Sequence, residues 1–371
     1  MAKRINICHF TSAHKSGDVR IFLKECVSLA AAGHSVTLVA ANCPSEFKQG
    51  VNIIGVDVPV SGRFTRMSKA ARLVFQKVIT IDADVYHFHD PELLRFALKL
   101  TKRGKKVVYD VHEDVPRQIL GKYWINKYLR KSIAVFFEIF ENYVSKRVDA
   151  IVAATPFIQD RFSKLNSNCV AVCNYPIVED YEFSADWNSK GNEICYVGGI
   201  TKVRGIVELV QAMEGIDVQL NLAGDFSPLA LKAELESLPG WKNVNNIGFV
   251  GRSEIYAVLS SSKIGIVTLH PIVNYLDSLP IKMFEYMMAG IPVIASDFPL
   301  WKEIIEGNHC GICVNPENAK EIAEAINYIM EHDSEAAQMG ENGKQAVKNK
   351  YNWKVEEKKL VELYNNLWGS K

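Results

Sequence analysis

The segment from 278 to 297 restricts the fold of this chain more than any other. It reads SLPIKMFEYMMAGIPVIASD, in which Ser278 offers a hydroxyl for a helix N-cap and Pro280 suits the first helical turn. Gly290 and Pro292 end that helix, and an apolar run typical of a buried strand follows. A loop, a short apolar helix and a buried strand in this order predict a domain of the α/β class.

Glu285 lies in the middle of this predicted helix, among side chains that are almost all apolar. Burying a carboxylate alone is costly, so Glu285 needs a partner. Helical side chains lean toward the N-terminus of their helix, where free N–H groups and the helix dipole favour anions. A carboxylate beside such a phosphate site can accept hydrogen bonds from ribose hydroxyls, which predicts a nucleotide–diphosphate pocket. A Glu285 paired with an arginine or lysine of the core is the alternative.

Strand, loop, helix and strand follow one another in both halves of the 371-residue chain. The first such unit spans 5–40, and the pattern starts again at residue 193. This alternation is typical of doubly wound α/β domains, which bind their ligands at the carboxyl ends of the strands. We therefore predict two domains, over 1–180 and 190–350.

Charge and composition give the chain no general electrostatic preference. Its 43 basic and 42 acidic side chains leave a net charge of +1, so no overall field draws it to nucleic acid. We find neither a signal peptide nor an apolar run long enough to span a bilayer, and we expect a cytoplasmic protein. The acids Asp82 and Asp84 open a strand rather than a ligand loop, so we expect no metal.

Titratable side chains crowd the ends of two predicted strands in the first half. They are His87, His89, Asp90, His112, Glu113 and Asp114. Because parallel strands end at one edge of a sheet, this density is typical of a sugar-binding cleft, where many hydrogen bonds read the hydroxyls. A metal bound by His87 and His89 is the alternative. We expect instead that His87 bonds to the backbone and that His89 lines the cleft.

A family resemblance rests on Asp277 and Glu285, eight positions apart, with Lys282 and the runs FEYM and GIPVIASD around them. This arrangement resembles the acid-x7-Glu motif of retaining GT-B glycosyltransferases of glycosyltransferase family 4, of the capsule, O-antigen and exopolysaccharide type. The family's usual first acid is a glutamate, and its usual Glu-Gly-Phe-Gly is replaced here by Asp-Ser-Leu-Pro. The similarity covers nearly the whole chain, including the opening from His14 to His34.

The resemblance implies a GT-B fold, in which two Rossmann-like domains face each other across a cleft and a C-terminal helix, 353–371, crosses back to the first domain. It implies transfer of a sugar from a UDP- or GDP-linked donor to a saccharide or lipid-linked saccharide, with retention, in surface polysaccharide biosynthesis. The nucleotide-sugar is then a substrate and not a cofactor. A non-hydrolysing UDP-sugar epimerase and a non-catalytic partner that binds nucleotide-sugars are the alternatives.

The resemblance also implies roles for particular residues. Arg204 stands where the family has a lysine that holds the diphosphate, and Gly199 stands where it has an arginine, so that Lys202 or Lys282 has to replace that charge. Catalytic roles are expected for His112, Arg204, Asp277 and Lys282. Donor binding is expected for Gly198, Gly199, Arg204, Phe249, Val250, Arg252, Ser278, Leu279 and Glu285.

A basic and aromatic segment, 121–132, predicts a peripheral contact with the inner face of the membrane. Its side chains include Lys122, Tyr123, Trp124, Lys127, Tyr128, Arg130 and Lys131. Basic groups near an anionic leaflet contribute about 1 kcal/mol each, and amphipathic aromatics suit the headgroup region. An ordinary surface helix with a basic start is the alternative. Farther along the helix we expect a core face of Ile133, Phe136, Phe137, Phe140 and Val144, with Glu138 and Glu141 in water.

Overall fold

The computed structural model describes residues 4–59, 63–122, 125–178 and 187–369. The chain forms two compact units: Met1–Asn174 together with Trp353–Lys371, and Tyr175–Asn352. The linker was expected over 179–191, and most of that segment lies outside the described residues.

Eight strands form the sheet of the first unit. They are β1 (Asn6–Thr11), β2 (Ser35–Ala41), β3 (Glu46–Lys48), β4 (Val51–Val56), β5 (Val85–Phe88), β6 (Lys106–Val111), β7 (Ala150–Ala153) and β8 (Cys169–Ala171). Their order is β3-β4-β2-β1-β5-β6-β7-β8, and only the β3–β4 pair is antiparallel. A π-helix (Val19–Cys26) precedes α1 (Val27–Ala31), and the other helices are α2 (Arg63–Val78), α3 (Leu94–Thr101), α4 (Val115–Gly121), α5 (Lys127–Ser145) and α6 (Pro156–Phe162).

Six parallel strands form the sheet of the second unit. They are β9 (Glu193–Val197), β10 (Gln219–Ala223), β11 (Val244–Gly248), β12 (Ile264–Val267), β13 (Val293–Ser296) and β14 (Gly311–Val314), in the order β11-β10-β9-β12-β13-β14. Its helices are α7 (Ile206–Ala212), α8 (Leu231–Glu236), α9 (Arg252–Ser261), α10 (Val273–Leu276), α11 (Ile281–Met288), α12 (Pro299–Ile305), α13 (Ala319–Glu331) and α14 (Asp333–Asn349). The last helix, α15 (Trp353–Tyr364), belongs to the first unit, where the Trp353 indole N–H donates to the Ser28 hydroxyl.

These sheets confirm the predicted fold class of two Rossmann-like α/β domains. The strand order reverses direction beside β1 in the first unit and beside β9 in the second. Doubly wound sheets bind ligands at such reversal points, outside the carboxyl ends of the strands. The loops that follow β1 and β5, and those that follow β9 and β12, therefore mark the candidate site of each unit.

The expected core face of α5 is confirmed at Val144 and Phe137 and wrong at its other positions. Phe136 is 73% exposed and Ile139 is 60% exposed, whereas Glu141 is fully buried. Glu141 is satisfied in the interior because Arg161 Nη2 donates to it at 2.6 Å and the Tyr109 hydroxyl donates at 3.0 Å. The inner face of α5 therefore carries this paired carboxylate, and much of the apolar face of the helix lies outward. Of the expected core set, Val144 is buried and Phe137 packs against the core, but Ile133 and Phe140 are exposed.

None of the helices in the described ranges is both long enough and apolar enough to cross a membrane.

Candidate active site

The loop after β9 approaches the end of β12 very closely. Gly205 has a φ of 70°, and a Cβ added there would lie 1.9 Å from the carbonyl oxygen of Thr268. Only glycine fits both the backbone conformation and the space. Gly205 is directly followed by α7, so the glycine loop and the N-terminus of a helix meet at the strand-order reversal.

Lys282 and Arg204 converge on the two glycines at the start of this loop. A Cβ added to Gly198 would lie 3.0 Å from Lys282 Nζ and 3.4 Å from Arg204 Nη1, and one added to Gly199 would lie 3.1 Å from Arg204 Nη1. A Cβ at either position would press on these basic groups, which would have to shift by a few tenths of an ångström. Without side chains at these positions, both basic groups lie close to the loop backbone, and Arg204 Nη1 donates to the Gly199 carbonyl at 3.2 Å.

The Lys282 amine is buried in an unusual environment. Its Nζ makes no hydrogen bond to any described residue and lies 3.8 Å from the centre of the Tyr196 ring. Burial and the nearby Arg204 charge hold the pKa of Lys282 well below its usual range, against the opposing influence of Glu285. By contrast, Lys202 Nζ is paired with Glu234 at 2.6 Å on the surface. Of the two lysines left open by the sequence, Lys282 is the one whose amine lies beside Gly198 and Arg204.

The helix α11 that carries Lys282 is anchored by its apolar side chains. Met283, Phe284, Met287 and Tyr286 are fully buried. The Tyr286 hydroxyl accepts a hydrogen bond from the Val197 backbone N–H at 2.9 Å, which ties the helix to the end of β9. Glu285, on the same helix, is partly buried.

Asp277, Ser278 and Leu279 form the partly buried connection between α10 and α11. The expected N-cap role of Ser278 is wrong, because its hydroxyl donates to the Tyr275 carbonyl at 2.9 Å and Pro280 takes the N-cap position. The hydroxyl turns back to close the end of α10 instead. The Ser278 carbonyl accepts from the Trp301 indole at 2.8 Å, which fixes this connection against α12.

Phe249, Val250 and Arg252 follow β11, at the edge of the sheet. Phe249 is 79% exposed, Val250 is half-buried and Arg252 is exposed at the start of α9. Two strand spacings separate β11 from β9 in the sheet order, a distance of about 10 Å. A ligand that reaches from the glycine loop to these residues would have to extend across that distance.

In the first unit, His112 belongs to a buried polar network at the carboxyl edge of the sheet. Asp110 Oδ2 accepts from His112 Nε2 at 2.8 Å and from His89 Nδ1 at 2.9 Å. Arg20 Nη2 donates to the other Asp110 oxygen at 2.7 Å, and Arg20 Nε donates to Oδ2 at 3.0 Å. Burial favours the neutral acid, but Arg20 and His112 outweigh it and hold the pKa of Asp110 well below its usual range.

Two expectations about this network are wrong. His89 was expected to line the cleft, but it is only 2% exposed, since its two ring nitrogens pair with Asp110 and with His9 Nδ1 at 3.0 Å. His87 was expected to bond to the backbone, but its Nδ1 pairs with the Tyr364 hydroxyl at 2.8 Å. That hydroxyl comes from α15, which the strand pattern around His87 could not reveal.

Two groups of side chains bring possible metal ligands within 4.8 Å of one another. One is made of His89, Asp110 and His112, and the other of His9, Glu25, His87 and His89. Arg20 opposes a cation in the first group, because it already holds both oxygens of Asp110 and adds a positive charge. Arg20 Nε also lies 3.3 Å from Glu25 Oε1 in the second group, where burial and the Asp110 charge raise the pKa of Glu25 well above its usual range.

Sequence reasoning assigned no role to Arg20, Glu25, Asp110 or Tyr196. Arg20 lies in the opening segment that carries part of the family resemblance, but its pairing with Asp110 joins positions 90 residues apart. The available signal for Asp110 was a charged residue near the end of an otherwise apolar strand.

The chain is similar to known glycosyltransferases over nearly all of its length. Residues 178–346 match the family model described as Glycosyl transferases group 1, and residues 17–174 match that of Glycosyltransferase Family 4. A phosphatidyl-myo-inositol mannosyltransferase of Mycobacterium leprae is 21% identical over 84% of this chain and 82% of its own. Sucrose-phosphate synthase of Thermosynechococcus elongatus superposes with a TM-score of 0.79 at 17% identity, over 99% of this chain and 100% of that one. Anabaena HepE, solved in complex with UDP-glucose, gives a TM-score of 0.73 at 14% identity, over 98% and 100%.

Two parallel-sheet Rossmann-like domains with this set of structural neighbours define the GT-B fold. The two family matches then give the class of the protein. It is a glycosyltransferase, with a family 4 domain in its first half and a group 1 domain in its second.

Proposed function

We propose that this glycosyltransferase moves a sugar from a UDP- or GDP-linked donor to a saccharide or lipid-linked saccharide, with retention, in surface polysaccharide biosynthesis. One observation supports the donor most strongly. Lys282 Nζ is buried without a hydrogen bond to any described residue, beside Arg204 and two glycines. A buried amine that lacks a partner costs stability, so a bound anion gives it a function. A diphosphate matches two basic groups and a helix N-terminus at once.

In the proposed reaction, the bond between the anomeric carbon and the diphosphate oxygen breaks. The acceptor hydroxyl oxygen bonds to that carbon on the same face, and the hydroxyl proton passes to the departing diphosphate. Arg204 and Lys282 offset the charge that develops on the leaving oxygen, where preorganised cations lower the barrier most. Retention and the expected catalytic roles of His112 and Asp277 are supported by the sequence resemblance.

The same placement supports the other donor contacts. Glu285 lies one turn along α11 from Lys282, where it can accept from the ribose hydroxyls. Phe249, Val250 and Arg252 lie about 10 Å away across the sheet, a span suited to the nucleoside. We assign these three residues to the base pocket.

Ligand-induced stabilisation tests the donor. We expect thermal unfolding to shift upward with UDP or GDP and with one family of their sugars, because a ligand of the native state stabilises it by mass action. Proton NMR of the product then reports the anomeric configuration, which retention requires to match the donor. Absence of binding to all nucleotides would refute the proposal. Epimerised donor formed without an acceptor would favour the epimerase alternative.

We propose a peripheral membrane contact for the same enzyme, through α5. Tyr128 and Phe136 are 79% and 73% exposed on this helix, whose first residues include Lys127, Arg130 and Lys131. Basic and apolar groups together suit an anionic bilayer surface. The lipid named in the mannosyltransferase relative fits the same interpretation. Tyr123 and Trp124, which the sequence added to this surface, lie outside the described residues.

Flotation with anionic liposomes tests this contact. Binding should appear at low salt, weaken at high salt and drop when Lys127, Arg130 and Lys131 become glutamate. The matched control reverses three exposed lysines of the second unit, Lys242, Lys320 and Lys348, and should float normally. Binding that survives both salt and the triple change would place the contact elsewhere. A dimer that buries α5 and leaves liposomes unbound would exclude the membrane as its partner.

A further inference from the structure

We propose that Asp110 is a positioning residue that decides which ring nitrogen of His112 carries the proton. The proposal rests on the proposed function for its effect on sugar transfer. Which ring nitrogen of His112 carries the proton does not depend on that function. The position of that proton can be measured without a substrate.

Asp110 can only accept hydrogen bonds. An ionised carboxylate has no donor, and the pairing with Arg20 supports the ionised form. His112 Nε2 lies 2.8 Å from Asp110 Oδ2, so this nitrogen must carry the hydrogen. His89 Nδ1, at 2.9 Å from the same oxygen, must do so as well. Four N–H groups from three side chains thus converge on one carboxylate.

The Asp110 side chain is held in its orientation toward His112. Asp110 is fully buried, and the guanidinium of Arg20 bridges both its oxygens. Arg20 is itself 4% exposed and donates through Nη1 to the Val172 carbonyl at 2.7 Å. On the other side His89 is held by His9 at 3.0 Å. The orientation of the carboxylate is therefore fixed by buried neighbours that are themselves held by hydrogen bonds.

His112 is the member of this group of three that a substrate can reach. The His112 side chain is 17% exposed, whereas those of Asp110 and His89 are fully buried. With hydrogen on Nε2 toward Asp110, a neutral His112 keeps the lone pair on Nδ1. Nδ1 can then accept a hydrogen bond from a sugar hydroxyl, which the opposite tautomer could not do. An imidazole held in one tautomer by a buried aspartate is a well-established catalytic arrangement.

The test replaces Asp110 with asparagine. An amide offers one acceptor oxygen to the four donors and turns an N–H group toward at least one of them, so His112 loses its fixed tautomer. We expect turnover to fall by roughly 10²-fold or more; the loss is about 10⁴-fold when the histidine of a catalytic triad loses its aspartate. The affinity for free nucleotide should stay within about two-fold, because Asp110 belongs to the other unit from the glycine loop.

The matched control is Glu141→Gln in the same unit. Glu141 is also a fully buried carboxylate that pairs with an arginine, Arg161, at 2.6 Å. It makes no hydrogen bond to His112 in the described part of the chain. Glu141→Gln should lose about as much stability as Asp110→Asn. Unlike Asp110→Asn, it should keep the turnover of the unsubstituted protein. Equal turnover losses in both variants would show a general effect of removing a buried ion pair and overturn the proposal.

NMR of protein with 15N-labelled histidine rings supplies the second measurement. In the unsubstituted protein, His112 should carry its proton on Nε2, and the Asp110→Asn variant should show a mixture or the opposite tautomer. A proton on Nδ1 in the unsubstituted protein would overturn the proposal, even if the variant fails to fold. An unchanged spectrum in the folded variant would overturn it too. The ring spectrum decides the matter even if no sugar transfer is found, in which case the proposed function alone would fail.

Discussion

Replacing Lys282 with methionine should make the free protein more stable and the nucleotide complex weaker. Methionine is nearly isosteric with lysine and can keep the contact with the Tyr196 ring, which the Lys282 nitrogen makes at 3.8 Å. The change removes a buried amine that has no hydrogen bond to the described residues, a cost of about 1–3 kcal/mol. We therefore expect the free energy of unfolding to rise by about that amount at neutral pH.

Nucleotide binding should change in the opposite direction. A hydrogen bond to a charged group contributes about 1.5–3 kcal/mol, so the loss of Lys282 should weaken diphosphate binding roughly 10- to 100-fold. The two effects together define a residue kept for function at the expense of stability. Denaturant unfolding measures the first effect, and titration calorimetry with UDP and GDP measures the second.

The pH dependence of stability gives an independent check on Lys282. Because its pKa in the folded protein lies well below the ordinary value of 10.5, the unfolded chain binds more protons between the two values. The penalty from Lys282 is fully present below the folded pKa and disappears as the pH rises toward 10.5. Stability should therefore rise with pH across this window in the unsubstituted protein, and the Lys282→Met variant should lose that part of the rise.

Lys202→Met is the matched control, since Lys202 lies in the same loop but pairs with Glu234 at the surface. It should change neither stability nor nucleotide affinity appreciably. A Lys282→Met protein that is destabilised and binds nucleotide normally would refute the reasoning, because Lys282 would then be a structural residue.

Three further substitutions test the remaining assignments. Arg204→Ala should lower turnover by roughly 10²-fold or more, with a smaller effect on nucleotide affinity, because a charge developing in the transition state loses its partner; steady-state kinetics with unchanged turnover would exclude this role. Glu285→Ala should sharply weaken nucleotide binding in calorimetry and leave the fold intact, and normal affinity would refute the ribose contact. His112→Ala should reduce transfer and leave the binding of free nucleotide unchanged, whereas an equal loss of both would indicate a structural role.

The sequence by itself determined the fold class and the elements around the motif. The helix predicted between Ser278 and Gly290 is α11, Ile281–Met288, and the strand predicted after Pro292 is β13, Val293–Ser296. These features are local, because apolar periodicity and the positions of glycine and proline act within a few residues. The family resemblance indicated a glycosyltransferase from the same stretch.

The tertiary structure decided which charged groups meet. Periodicity defined two faces of α5 but could not show that Arg161 would draw Glu141 inward and leave Phe136 outside. Nor could spacing show that Asp110 would be held by Arg20, because they come from elements far apart in the chain. Spacing likewise did not distinguish Lys202 from Lys282. Packing pairs Lys202 with Glu234 and buries the Lys282 amine beside the glycine loop. The environment of a buried charge is set by distant elements that pack around it, and local sequence does not contain that information.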